Sequence, residues 1–172
     1  MPVGLFGYHR NPLPGAHYPH KFIPTHVDTL LLEPVLCCRH VPGLLSSLPG
    51  KTYLANALGD KACRQGYKVS YFTMQRLSDQ MRLARLEGKE LRFFEKMTRY
   101  DLIIIDNFGM KPIEGQFQND FEQILDDCYG KKALIIASQL PVSDWYALFK
   151  NELIAETCLD RIIHKARLFH LR

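Results

Sequence analysis

Two short runs in the second half of the chain, Leu102-Ile103-Ile104-Ile105 and Ala133-Leu134-Ile135-Ile136-Ala137, carry no polar side chain at any position. A strand with one face in water alternates apolar and polar residues, so a strand apolar throughout needs cover on both faces. Parallel sheets packed between helices meet that need. The flanking text alternates as such a sheet requires. Leu54, Ala57, Leu58 and Ala62 recur at helical spacing within 52–64, and Gly66 follows as a stop. Lys68-Val69-Ser70-Tyr71-Phe72 reads as a strand, and 77–86 and 90–97 as charge-rich helices. Phe117, Phe121, Ile124, Leu125 and Cys128 mark one face of another helix. A last helix near 154–166 leads into a strand at Arg167-Leu168-Phe169-His170-Leu171. The expected class is α/β, a parallel sheet flanked by helices.

The text upstream is different. Eight of the ten prolines and five of the seven histidines precede residue 50. Closely spaced prolines fix φ and remove backbone donors, so 1–34 is expected to form neither a long helix nor a central strand. The expected organisation is a Pro/His-rich irregular segment over 1–44 and one domain over 45–172, with Val35-Leu36-Cys37-Cys38 as the candidate first strand. The histidines have no ligand pair at helical or turn spacing and no accompanying Cys pair, which points to a solvated tail rather than a metal site. A chain of 172 residues is bounded to about one core. The net charge of +4 permits a phosphate-bearing partner without requiring one. The apolar runs fall far short of the roughly 20 residues that span a bilayer, so no membrane partner is expected. Five irregularly spaced cysteines and a start lacking a basic-then-apolar stretch suit a reduced, cytoplasmic setting.

Gly50-Lys51-Thr52 stands where the first helix opens, and the Leu102 run ends on Asp106. In a phosphate-binding loop the lysine reaches the β and γ phosphates, the threonine hydroxyl ligates Mg²⁺, and the helix N-terminus favours the anion. A carboxylate at the C-terminal end of a buried strand can hold a Mg²⁺-bound water opposite them. The two signals occur in the order that such a site needs. The alternative for Asp106 is a cap on the next turn.

Several segments in order make the chain resemble the IstB-like and DnaC-like ATPases of the AAA+ class, above all the insertion-sequence transposition helpers. They are Gly50-Lys51-Thr52-Tyr53-Leu54-Ala55, Gly66-Tyr67-Lys68-Val69, Asp101 to Asp106, Ser138-Gln139-Leu140-Pro141 with Asp144-Trp145, and Leu159-Asp160-Arg161-Ile162-Ile163-His164. The resemblance covers about 50–172 and implies a P-loop NTPase fold with an AAA+ core altered at its N-terminus. It implies ATP and Mg²⁺ as cofactors, with Gly50, Lys51 and Thr52 binding the nucleotide and Thr52 and Asp106 serving the metal. Ser138 matches a γ-phosphate sensor, its alternative being a strand-end hydroxyl bonded to backbone. Arg161 matches a finger reaching a neighbouring subunit's nucleotide, its alternative being an ion pair with Asp160 or a surface charge. The implied partners are duplex DNA, a transposase and further copies of the chain.

Departures from the family pattern set limits. The family loop Gly-x-x-Gly-x-Gly-Lys-Thr is here Leu45-Ser46-Ser47-Leu48-Pro49-Gly50-Lys51-Thr52. Leucines replace two glycines, a left-handed conformation costs an ordinary residue about 1–2 kcal/mol, and Pro49 has no N–H to donate. Asn107 stands where relatives carry a second carboxylate, and an amide is no base. These features weigh against hydrolysis, and 1–49 is expected to lack likeness to the family, as if a reading-frame change had replaced it. Competing readings are a nucleotide-incompetent remnant or interaction module of the same fold, and a DnaC-like helicase loader. The stretch 76–99 carries seven Lys and Arg against four Asp and Glu. It is a candidate DNA-contacting face, or else a solvated helix surface laced with opposite charges.

Overall fold

The structure is a computed structural model, and it describes residues 29–34, 50–164 and 166–171. Five strands form one sheet, parallel throughout: β1 (Thr29–Pro34), β2 (Val69–Thr73), β3 (Leu102–Phe108), β4 (Ala133–Ser138) and β5 (Arg167–Leu171), in the order β2-β3-β4-β1-β5. Five helices accompany them: α1 (Gly50–Arg64), α2 (Met74–Leu86), α3 (Glu90–Thr98), α4 (Gln116–Cys128) and α5 (Glu152–Ile163). Two short 3-10 turns at Val142–Asp144 and Tyr146–Leu148 join β4 to α5.

Both faces of β3 and β4 are covered, which is why Leu102 to Ile105 and Ala133 to Ala137 are apolar throughout. Leu102, Ile104, Ile135 and Ala137 point one way and pack against Ala55, Leu54 and Leu58 of α1. Ile103, Ile105, Leu134 and Ile136 point the other way, into a larger core with Leu77 and Met81 of α2, Phe94 and Met97 of α3, Phe121 and Ile124 of α4, and Cys158 and Ile162 of α5. In α1 the stripe facing the sheet is Lys51, Ala55 and Gly59. Ala57, expected on that face, is exposed. A Cβ on Gly59 would stand 2.8 Å from Ile104 Cδ1, so the glycine lets the helix lie close against β3.

The upstream expectations change most. β1 lies inside the stretch that its prolines had excluded from a central strand, and it sits between β4 and β5. Proline is compatible with this because the strand runs Thr-Leu-Leu-Leu-Glu between residue 28 and Pro34, and Pro34 is its last residue. The candidate strand Val35–Cys38, the rest of 1–44 and the loop residues Leu45, Leu48 and Pro49 lie outside the described residues. The last helix ends at Ile163 and not near Ala166.

Lys132, just before β4, is buried, and its ammonium donates to the carbonyls of Met97 (3.2 Å), Thr98 and Tyr100 (3.0 Å). A cation at a helix C-terminus satisfies carbonyls that no longer have intrahelical partners. Lys132→Met keeps the aliphatic stem and removes the donors. It should cost about 2 kcal/mol in urea unfolding, because hydrogen bonds to charged groups contribute more than neutral ones. Among the described cysteines, burial pushes the Cys128 thiol up to about 11 and Cys158 up to about 12. Iodoacetamide at pH 8 should therefore label Cys63, which is only half-buried, before either of them, as peptide mapping would record.

Candidate functional site

In a sheet with every strand parallel, all C-terminal strand ends lie along one edge, and the helix that follows β1 begins at that edge. α1 therefore opens there. Alternation along β3 turns Leu102, Ile104 and Asp106 to the α1 side, so the carboxylate that ends the apolar run meets the first turn of the helix. The Thr52 hydroxyl donates to Asp106 Oδ2 at 2.9 Å, joining residues 54 apart in sequence. Lys51 is 8% exposed and Asp106 3%, whereas Gly50 opens the helix in the open. α1 has no acidic side chain of its own in the first turn, so the carboxylate of Asp106 is the anion that faces the partial positive charge there.

Asp106 has two further donors. Tyr71 donates its phenol to Oδ2 at 2.6 Å, and the Asn107 N–H donates to Oδ1 at 2.8 Å. Tyr71 is registered with Ile104 in the parallel pair β2–β3, two residues back along the same face, a diagonal separation that an aromatic side chain can cross. Burial, and then the bond to Asp106, push the Tyr71 hydroxyl well above its usual range. In the sequence Tyr71 is an ordinary strand tyrosine, and only cross-strand register relates it to Asp106. Asn107 has φ 56°, and the β3–β4 register shifts between Ile105 and Phe108. Asparagine tolerates this left-handed bulge better than most residues, and the bulge turns its side chain to solvent.

Ser138 ends β4, fully buried. Its hydroxyl donates to Phe108 O at 2.8 Å and accepts from Leu140 N at 3.0 Å, the backbone bonding weighed as the alternative to sensing. Trp145 completes this clamp: its indole N–H donates to Leu140 O at 3.0 Å, and its ring lies 4.5 Å from that of Phe108. Ser138, Leu140 and Trp145 thus fasten the end of β3 just beyond Asp106. Arg161 lies elsewhere, on α5 against α4. Its Nη2 is 2.6 Å from Asp126 Oδ1 and its Nη1 3.6 Å from Glu122 Oε1. The ion pair is with these two residues and not with Asp160.

Thr52 and Asp106 provide one hydroxyl and one carboxylate. Among the described residues no group of three or more His, Cys, Asp or Glu could hold a metal ion. This donor set fits Mg²⁺, which keeps several waters and takes phosphate oxygens, and does not make a self-sufficient metal cage. Lys51 beside it fits the accompanying phosphates. On the basic stretch, Arg82 pairs with Asp79, Arg85 with the buried Asp120 at 2.5 Å, and Lys89 with Glu87. Arg76, Arg92, Lys96 and Arg99 are exposed and form no ion pair among the described residues. Arg76 and Lys96 border a groove of about 590 Å³ along β2, with Asp60, Cys63, Tyr71 and Tyr100.

Comparison with known proteins agrees with this geometry. Among solved structures, the DnaC helicase loader superposes with a TM-score of 0.67 at 19% identity, over 89% of this chain and 83% of that one. AMPPCP-bound DnaA from Aquifex aeolicus gives 0.65 at 20% identity, over 86% of this chain and 41% of that one. At such identities the likeness is one of fold. Closer in sequence is the insertion sequence ATP-binding protein y4pL of Sinorhizobium fredii, 41% identical over 117 residues, which make up 68% of this chain and 48% of that protein. The IS21 ATP-binding protein of Pseudomonas aeruginosa is 28% identical over 151 residues, 88% of this chain and 52% of that protein. A match of that length takes in residues upstream of 50, whereas the family match begins at residue 44. This chain spans about half the length of the curated relatives it matches. With residues 44–172 matching the family of IstB-like ATP binding proteins, and the fold and motif order in agreement, the chain belongs to that family.

Proposed function

We propose that this chain is the nucleotide-binding core of a DNA-associated transposition helper of the IstB type, which binds ATP with Mg²⁺, assembles with further copies of itself on duplex DNA and regulates a transposase. The observation that carries the reading is the hydrogen bond between Thr52 and Asp106, because it joins the helix-opening Lys-Thr to the strand-ending carboxylate at one sheet edge. Gly50 and Lys51 bind the phosphates; Thr52 and Asp106 hold the cation and its waters. Bound Mg²⁺ supplies charge neutralisation at the phosphate oxygens. Ser138 acts from the adjoining strand end, fixing the β3 terminus, with γ-phosphate sensing as its further role. Arg161 serves a neighbouring protomer's nucleotide once it leaves Glu122 and Asp126. The exposed, unpaired cations Arg76, Arg92, Lys96 and Arg99 contact DNA phosphates.

Binding is separated from turnover in this reading. Asn107 supplies no base at the position following Asp106, and Leu45, Leu48 and Pro49 depart from the glycine cradle. These residues support the second reading, a nucleotide-incompetent module of the same fold. Calorimetric titration with Mg-ATP separates the two: saturable binding lost in Lys51→Ala and weakened at least tenfold in Thr52→Val supports the first, and no heat from the wild type supports the second. For DNA, Arg92→Gln combined with Arg99→Gln should lower the slope of log affinity against log salt by roughly 2, since each phosphate contact contributes about 0.9. An unchanged slope would remove these residues from the DNA face.

A further inference from the structure

Asp106 receives three hydrogen bonds from three different elements. Thr52 Oγ1 comes from α1 and Tyr71 OH from β2, both to Oδ2, and Asn107 N comes from the bulge in β3, to Oδ1. A carboxylate has about four lone-pair sites, so the group is nearly saturated while only 3% exposed. The three donors are not equivalent. If Thr52 is to ligate a cation, its oxygen offers a lone pair to the metal and keeps its proton on Asp106, since a hydroxyl has both. The remaining acceptor site of the carboxylate is then left for a proton of a metal-bound water. The Asn107 N–H belongs to the adjacent residue and fixes only Oδ1. Tyr71 is the one side-chain donor to Asp106 that takes no part in holding the cation itself.

We propose that Tyr71 is a positioning residue for Mg²⁺: its phenol pins Oδ2 of Asp106 in the orientation that Thr52 and the waters of the cation need. This rests on the nucleotide-site reading above. Chemistry favours a phenol in the role. It is a neutral donor at neutral pH, so it orients the carboxylate without cancelling the charge that attracts the cation, as a lysine or arginine there would. Geometry favours it as well. Tyr71 stands on an edge strand of the sheet, 37% exposed, and reaches Asp106 along the strand direction from its register with Ile104.

The test is Tyr71→Phe, which removes a single oxygen. Equilibrium affinity for a fluorescent ATP analogue is measured twice for each protein, with Mg²⁺ and with EDTA. The expected result is that the ratio of the two affinities falls at least about tenfold in the variant, as loss of one hydrogen bond to a charged group would give, while the EDTA affinity changes by less than about twofold. A merely structural role would weaken both arms alike and leave the ratio unchanged, which overturns the proposal. A ratio that rises also overturns it, because the phenol would then be competing with the cation. Wild-type protein that binds in neither arm removes the nucleotide-site reading and this inference together. Wild-type binding with an unaltered ratio in Tyr71→Phe removes the role of Tyr71 alone. The melting temperature of each protein in EDTA, expected to agree within a few degrees, excludes misfolding as the source of any change.

Discussion

Burial of β3 and β4 on both faces is the constraint on which the molecule depends. Ile103, Ile104, Ile105 and Ile136 are almost completely removed from water, and no polar residue could replace them without an unsatisfied group in the core. The same alternation that sends Ile103 and Ile105 into the four-helix side sends Leu102, Ile104 and Asp106 towards α1. The carboxylate is therefore aimed by the strand pleat, and its meeting with Thr52 follows from where a helix after β1 must start. Gly59 contributes by letting α1 lie within touching distance of Ile104.

Much of this was legible before any coordinates. The apolar runs marked β3 and β4, helical spacing marked α4, and Lys-Thr followed by Asp at a strand end marked the meeting point, because each rests on a local pattern with one physical solution. What was not legible depends on partners distant in sequence. β1 was discounted on proline content, yet a proline at a strand's last position removes no interior ladder bond, and Thr29–Glu33 are free to pair with β4 and β5. Tyr71 reads as an ordinary strand tyrosine until the register places it two residues behind Asp106. On α1, Leu54, Leu58 and Ala62 do pack against the sheet, while Ala57 turns outward and Ala55 and Gly59 take the innermost places. Only the closeness of the sheet brings such small residues to the centre of the contact.

The segment Ser138 to Trp145, whose order marks the family, acts here as a fastening. It ties the chain after β4 to Phe108, two residues past the carboxylate, through a buried hydroxyl and an indole. Lys132 does similar work at the opposite end of the strand, holding the C-terminus of α3 against the start of β4. Both ends of the central strands are thus secured by polar side chains on backbone groups, which leaves the hydrophobic layers between them to set packing alone.

The clasp between Arg161 and α4 has one more implication. Glu122 and Asp126 are separated by a single helical turn, and the guanidinium between them screens their mutual repulsion. Withdrawing Arg161 would expose two like charges to each other on one helix face, which raises the free energy of that arrangement. The guanidinium is thereby held on α4, and an anion elsewhere can draw it away only by competing with two carboxylates at once.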